Sequence, residues 1–218
     1  MSRPRRGAGT NPVLRLRLSL HAITLVALWS GAAPLLAVDN APPTYRGGTV
    51  TPPLPKPRFT LSDTSGASFD FWTQTNGYVT LLFFGYAHCV DVCPTHMAQL
   101  AAALKKLPLA FSDRIKVVFV TTDPARDDLK SLRTWLNRFD QRFIGLSGSE
   151  RAISAAQIAA NLPLAKKAVP SAVDGEIEHS AFVLAYSKDN LAHVIYPPGI
   201  TEEDWIHDLT RLDTDVWR

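Results

Sequence analysis

Tyr78-Val-Thr-Leu-Leu-Phe-Phe-Gly-Tyr-Ala-His-Cys89-Val-Asp-Val-Cys93-Pro94-Thr-His-Met97 is the stretch whose reading decides the fold. Its first seven residues, Tyr78 to Phe84, form a continuous apolar run, the pattern of a strand buried on both faces of a sheet. From Pro94 to Leu107 the chain is rich in Ala and Leu at helical spacing, and a proline suits the first turn of a helix. Cys89 and Cys93 therefore sit where a buried strand gives way to a helix. Helix N-termini present unpaired N–H groups and a partial positive charge, which stabilise a thiolate. If the turn around Asp91 is helical, a spacing of four puts both sulfurs on one face, with Cβ atoms about 5–6 Å apart. That separation closes onto a metal with little rearrangement, or onto a disulfide with somewhat more. The competing reading is a pair of inert thiols or a purely structural disulfide, which over so short a loop stabilises only modestly.

Outward from this stretch, short strand patterns alternate with helical ones. Ile115 to Thr121 reads as a second buried strand and Asp127 to Phe139 as a helix with Leu129, Leu132, Trp135, Leu136 and Phe139 on one face. Glu150 to Ala160 reads as a short helix. Ala181 to Tyr186 and Leu191 to Tyr196 flank a turn at 187–190, a hairpin signal. Glu202 to Leu212 closes as an amphipathic helix. The order β-α-β-α-α-β-β-α predicts an α/β protein with a thioredoxin-like fold: a central mixed sheet with parallel strands, right-handed crossovers and a final antiparallel hairpin.

The chain has 218 residues, 46% hydrophobic and 20% charged, enough for one packed domain with appendages; wholesale disorder is excluded. Of its 23 basic residues, five (Arg3, Arg5, Arg6, Arg15 and Arg17) precede residue 18; the other 18 face 20 acidic residues, a net charge of −2. That balance offers no clustered basic surface, so no nucleic-acid partner is expected. Two cysteines exclude a disulfide-rich scaffold.

Residues 1–37 read as a basic leader followed by an apolar run from Leu18 to Ala37, either a transmembrane anchor or a signal peptide. The lack of a clean cleavage site favours the anchor. Basic flanks stay on the cytoplasmic side, which places the body in the periplasm at a bacterial inner membrane, or free in the periplasm if the leader is cleaved. Residues 38–58 hold six prolines and read as an extended tether, with the domain proper at 59–218.

Two sulfurs rarely complete a metal site, so a third donor is sought among six histidines. His21 lies in the leader. His193 and His207 read as surface or packing residues. His88 adjoins Cys89 and His96 falls three residues past Cys93, so both are candidates by proximity. His179 is the strongest, because it precedes the predicted central strand, whose leading end lies near the dithiol helix in a thioredoxin-like sheet.

Phe83-Phe-Gly-Tyr-Ala-His-Cys-Val-Asp-Val-Cys-Pro94 resembles the dithiol motif of the Sco/SenC family, membrane-anchored thioredoxin-fold copper proteins of cytochrome oxidase assembly. Three more segments agree in order: Thr121-Thr-Asp123-Pro124-Ala-Arg126-Asp127, Phe139-Asp-Gln-Arg-Phe-Ile-Gly-Leu-Ser-Gly148, and His179-Ser-Ala181. The resemblance spans roughly residues 59–212. It implies Cys89, Cys93 and His179 as copper ligands, with Asp123 beside the site; His88 is placed beside it only by adjoining Cys89. Val90 stands where the family usually has proline, and Glu178 where it usually has aspartate. Neither change removes a ligand atom. Two thiolates and an imidazole suit Cu(I) and tolerate Cu(II), whereas structural zinc usually takes four protein ligands.

The resemblance further implies a copper metallochaperone that serves the binuclear copper site of cytochrome c oxidase subunit II. A copper donor and a thioredoxin-like reductant are expected partners, because oxidation of Cys89 and Cys93 to a disulfide blocks binding. The competing function is a thiol–disulfide oxidoreductase that reduces the cysteines of the oxidase copper site. Against it stands the Cys-x-x-x-Cys spacing, where oxidoreductases typically have Cys-x-x-Cys. A thioredoxin-superfamily peroxidase would carry a different local motif around its cysteine.

Overall fold

The sheet that holds the dithiol stretch is built from strands distributed along almost the whole body of the chain. A computed structural model describes residues 44–167, 177–215 and 217. Along these run β1 (Gly48–Pro55), β2 (Thr60–Asp63), β3 (Ser68–Asp70), α1 (Phe71–Gln74), β4 (Val79–Gly85), α2 (Val92–Lys106), α3 (Leu109–Ser112) and β5 (Ile115–Thr121). There follow α4 (Leu129–Leu136), β6 (Ile144–Ser147), α5 (Glu150–Ala159), β7 (Lys166–Lys167), β8 (Ile177–Glu178), β9 (Val183–Tyr186), β10 (Leu191–Tyr196) and α6 (Glu202–Thr214).

Eight strands form one mixed sheet in the order β1-β10-β9-β4-β5-β6-β2-β3, and β7 pairs with β8 apart from it. β4, β5 and β6 are parallel, joined by helical crossovers, and β9 lies antiparallel against β4 with Leu82 opposite Leu184. This is the thioredoxin-like arrangement expected from the sequence. All seven residues of β4 are buried, and parity divides them: Val79, Leu81 and Phe83 enter one core, Leu82 and Phe84 the other. The first core is covered by α2, α4 and α6 through Met97, Leu100, Leu132, Trp135, Trp205 and Leu209. The second is covered by Phe71 of α1 and by Ile153 and Ala156 of α5. A strand with a core on each side has no face left for polar residues, which is why the run was unbroken.

The topology fixes where a site can form. β4 and β5 end on the same edge, and antiparallel β9 begins there, so the loop after β4, the loop after β5 and the segment leading into β9 converge.

The structure departs from expectation in four places. Residues 48–55 are not a free tether: β1 pairs antiparallel with β10 at the sheet edge, and the register breaks between Thr49 and Leu54, where Pro52 and Pro53 fall. An edge strand with an irregularity can absorb prolines that a central strand cannot. Lys56 is also buried, with Nζ donating to the Thr75 carbonyl at 3.0 Å. The fourth helix starts at Leu129, capped by Asp128, rather than at Asp127, and stops at Leu136. Strands β2, β3 and β6 were not anticipated. The turn at Asp91 is not helical, with φ −133° and ψ −77°. The basic leader, the apolar run and the first part of the tether lie outside the described residues. Among the described residues no helix is long and apolar enough to cross a membrane.

Candidate metal centre

β4 ends at Gly85, and the chain turns back tightly, with Cys89 N–H donating to the Tyr86 carbonyl at 3.2 Å. α2 starts at Val92, so Cys93 lies in its first turn while Cys89 lies before it. Asp91 occupies the N-cap position but its side chain caps nothing. The nearby backbone N–H groups of Cys93 and Asp91 favour the charged form of the Cys89 sulfur. Cys93 is fully buried and Cys89 half-buried; both are free thiols. Gly85 is required by packing: a Cβ there would lie 2.7 Å from the Cys93 sulfur and about as close to Phe83 and Phe119.

The loop between Gly85 and Cys89 is clamped by Asp127. Its fully buried carboxylate accepts from Ala87 N–H at 2.8 Å, from the Thr121 hydroxyl at 2.7 Å and from the His88 ring at 3.0 Å. Sequence reasoning singled out Asp123 in this motif and passed over Asp127, reading it as the start of a helix. Both carboxylates are buried and differ in their partners, Arg126 for Asp123 and the loop before Cys89 for Asp127, and those partners are set by tertiary neighbours.

His179 stands between β8 and β9. Its Nδ1 donates to the Ser180 carbonyl at 2.9 Å, which leaves Nε2 facing the sulfurs, 3.5 Å from Cys93 Sγ. Phe83 and Tyr86 seat the ring edge-on, with centroids 5.8 and 5.6 Å away. Donor atoms of Cys89, Cys93 and His179 all lie within 4.8 Å of one another. A groove of about 480 Å³ lined by Pro163, Leu164, Lys166, Glu178, His179 and Ser180 opens beside the ring.

The two sulfurs differ in charge. The Cys93 thiol above all, with the neighbouring His179 ring and backbone N–H groups, favours the charged form of the Cys89 sulfur and outweighs its burial, holding its pKa down to about 3. Cys93 is pushed far up, because it donates to the Cys89 thiolate and is buried beside that charge. One thiolate and one thiol, with an imidazole in contact, can receive a soft metal ion or exchange with a disulfide.

The remaining sequence-predicted residues are not brought into the cluster. His88 turns to Asp127, with half of its side chain exposed. Asp123 is buried, its backbone N–H donates to the Thr121 hydroxyl oxygen at 3.0 Å, and its carboxylate pairs with Arg126. His96 points into the core and bonds the Ala181 carbonyl. His193 pairs with Asp189 and stacks on Trp217, and His207 pairs with Asp208, so both are packing residues as expected. Val90 and Glu178, the two departures from the family pattern, are both exposed.

The SCO1/SenC family model matches residues 49–213. The chain is 31% identical over 173 residues to a Stutzerimonas stutzeri protein named for copper binding, covering 78% of this chain and 81% of that one. Other relatives, a mouse mitochondrial SCO2 homolog among them, are matched over about half of their own length. Among solved structures, apo Sco1 from Thermus thermophilus superposes with a TM-score of 0.69 at 30% identity, over 78% of this chain and 98% of that one. Bradyrhizobium japonicum ScoI with copper bound gives 0.64 at 29% identity, over 73% and 99%. The match begins within β1 and ends within α6, so it takes in the whole sheet, the dithiol turn and His179. The chain belongs to the SCO1/SenC family.

Proposed function

We propose that the protein is a copper metallochaperone, which holds one copper ion on Cys89, Cys93 and His179 and delivers it to the binuclear copper centre of cytochrome c oxidase subunit II during assembly. The observation that carries this reading is the convergence of two sulfurs and an imidazole within 4.8 Å, one sulfur already a thiolate. The donor set fits the ion: two thiolates match soft Cu(I), and the harder imidazole extends the site to Cu(II). Among the described residues this is the one group of three or more metal-ligating side chains so close together, one short of the four that structural zinc usually takes. Because the metal is cargo, the site must be reachable, and the groove beside His179 with half-buried Cys89 supplies the access. Anchoring by residues 1–37 keeps the domain at the periplasmic face of the membrane. Oxidation of this thiolate–thiol pair to a disulfide releases one proton and two electrons and removes both sulfur donors. A thioredoxin-like dithiol returns those electrons and reopens the site.

The second reading, a thiol–disulfide oxidoreductase acting on the oxidase copper site, draws on the unequal sulfurs: a half-buried thiolate beside a fully buried thiol is how an attacking and a resolving cysteine are arranged. Copper titration of the reduced and oxidised body, with thiols counted in parallel, separates the two. A chaperone binds one copper per reduced chain and none when oxidised, and Cys89→Ser or Cys93→Ser abolishes tight binding. Wild-type stoichiometry and affinity in both serine variants would remove the sulfurs as ligands. Absence of copper binding by the wild type would leave the oxidoreductase.

A further inference from the structure

His96 is a polar residue in a place where packing alone would take a leucine. It is 3% exposed, on α2, almost one turn past Cys93. Its ring meets Phe83 edge-on with centroids 5.2 Å apart, and Phe83 meets the His179 ring in the same way at 5.8 Å. Nε2 lies 3.1 Å from the Ala181 carbonyl oxygen, two residues past His179. A carbonyl only accepts, so Nε2 carries the hydrogen, and burial favours the uncharged ring.

What this bond does follows from how His179 is otherwise held. Pairing of β9 with β4 begins at Leu184 opposite Leu82, so residues 179–182 project beyond that ladder. Among the described residues, two of their hydrogen bonds are local: His179 Nδ1 to Ser180 O, and Phe182 N to Ser180 Oγ. Neither can set the position of the imidazole relative to α2. Apart from the contact of His179 with the cysteines, the His96–Ala181 bond is, among the described residues, the hydrogen bond from this segment to the helix that carries Cys93.

We propose that His96 is a positioning residue: its bond to Ala181 fixes the segment bearing His179 against α2, holds the imidazole at the Cys93 sulfur, and so sets how well the site retains Cu(II). The proposal rests on the copper reading of the site. Cu(I) is retained by the two sulfurs, while Cu(II) depends on the harder nitrogen donor, so a misplaced His179 affects the two ions unequally.

The test compares wild type, His96→Leu and His96→Gln, whose side-chain amide can donate to the same carbonyl. In His96→Leu, Cu(II) affinity falls roughly 10- to 100-fold, the range for losing a group that orients a ligand. Its sulfur-to-Cu(II) charge-transfer bands shift, and Cu(I) affinity changes by less than threefold. His96→Gln recovers most of the Cu(II) affinity. Reduced, metal-free protein gives an independent readout: the NOE between the His179 ring and Cys93 is present in wild type and His96→Gln and lost in His96→Leu. Should His96→Leu fail to fold, His96→Met takes its place. A folded Leu or Met variant with the wild-type Cu(II) spectrum and affinity overturns the proposal, as does equal loss of both ions with no rescue by glutamine, which marks a merely structural residue. Failure of the wild type to bind copper overturns instead the copper reading beneath it.

Discussion

The Cys89 sulfur lies just ahead of α2, beside the Cys93 thiol, and its reactivity follows from that position. An ordinary thiol, with pKa near 8.5, loses about tenfold in thiolate for each pH unit below that value. Cys89, held near 3, stays ionised throughout the range from pH 5 to 8. Alkylation of the reduced protein by iodoacetamide, followed by peptide mass spectrometry, should therefore label Cys89 at a rate nearly independent of pH across that range. The rate ceiling is modest, because a weakly basic thiolate is also a weaker nucleophile. Buried Cys93 should remain unlabelled in the folded chain. A tenfold fall in Cys89 labelling per unit below pH 8 would show that the helix N-terminus and the neighbouring thiol do not hold the charge. At this scale the donors were legible, since two cysteines and a histidine before a strand announce themselves by type and order. His96 and Asp127 were not: a histidine on a helix reads alike whether it faces solvent or core, and an aspartate after a proline turn reads as a cap.

Elements were legible where burial on both faces or one apolar stripe wrote a pattern. β4, β5 and β10 match their sequence patterns to within a residue, and α2 and α5 are nearly as close. Four-residue β6 and the short β2–β3 pair are too brief for a period to establish itself. β1 was hidden by its prolines, which argue against a strand in general but not at an edge. What secures β1 is remote in sequence: fully buried Asp208 of α6 accepts from the backbone N–H groups of Arg46 at 2.9 Å and Gly47 at 3.0 Å, just ahead of the strand. Gly47 is also forced, because a Cβ there would lie 2.5 Å from Val194. Asp208→Ala strands two backbone donors and should cost roughly 1.5–3 kcal/mol. Hydrogen exchange is the more specific readout. Amides of 46–55 should exchange faster while those of β4 and β5 stay protected against all but global unfolding. Uniform acceleration across the sheet would mean that β1 is not a separable edge.

Taken whole, the molecule separates chemistry from anchorage along the length of the sheet. The donor set gathers where β4 and β5 end and β9 begins. At the opposite end, Arg114 leads into β5, Lys188 follows β9, and both bind Asp213 in the last turn of α6. Arg114 Nε donates to Asp213 Oδ1 at 3.0 Å, and Lys188 Nζ lies 2.6 Å from the same oxygen. Burial alone would raise the Asp213 carboxyl, but its bonds to Arg114 and Lys188 outweigh that and hold it below the ordinary value. A carboxyl depressed in the folded state contributes stability that is present above the unfolded pKa, near 3.9, and is lost as pH falls through the lower folded value. Asp213→Asn removes the charge but keeps the shape. At pH 7 it should cost roughly 1.5–3 kcal/mol, a drop in thermal midpoint on the order of 3–10 °C for a domain of this size. Below pH 4 the variant's stability should decline less steeply than that of the wild type, since one fewer depressed carboxyl takes up a proton, and the two curves should converge. Copper stoichiometry and Cu(II) spectrum at pH 7 should be those of the wild type, because the substitution lies at the far end of the strands from the sulfurs. Parallel acid curves would remove Asp213 as the titrating clamp. An altered copper spectrum in a folded variant would show that the two ends of the sheet are coupled after all.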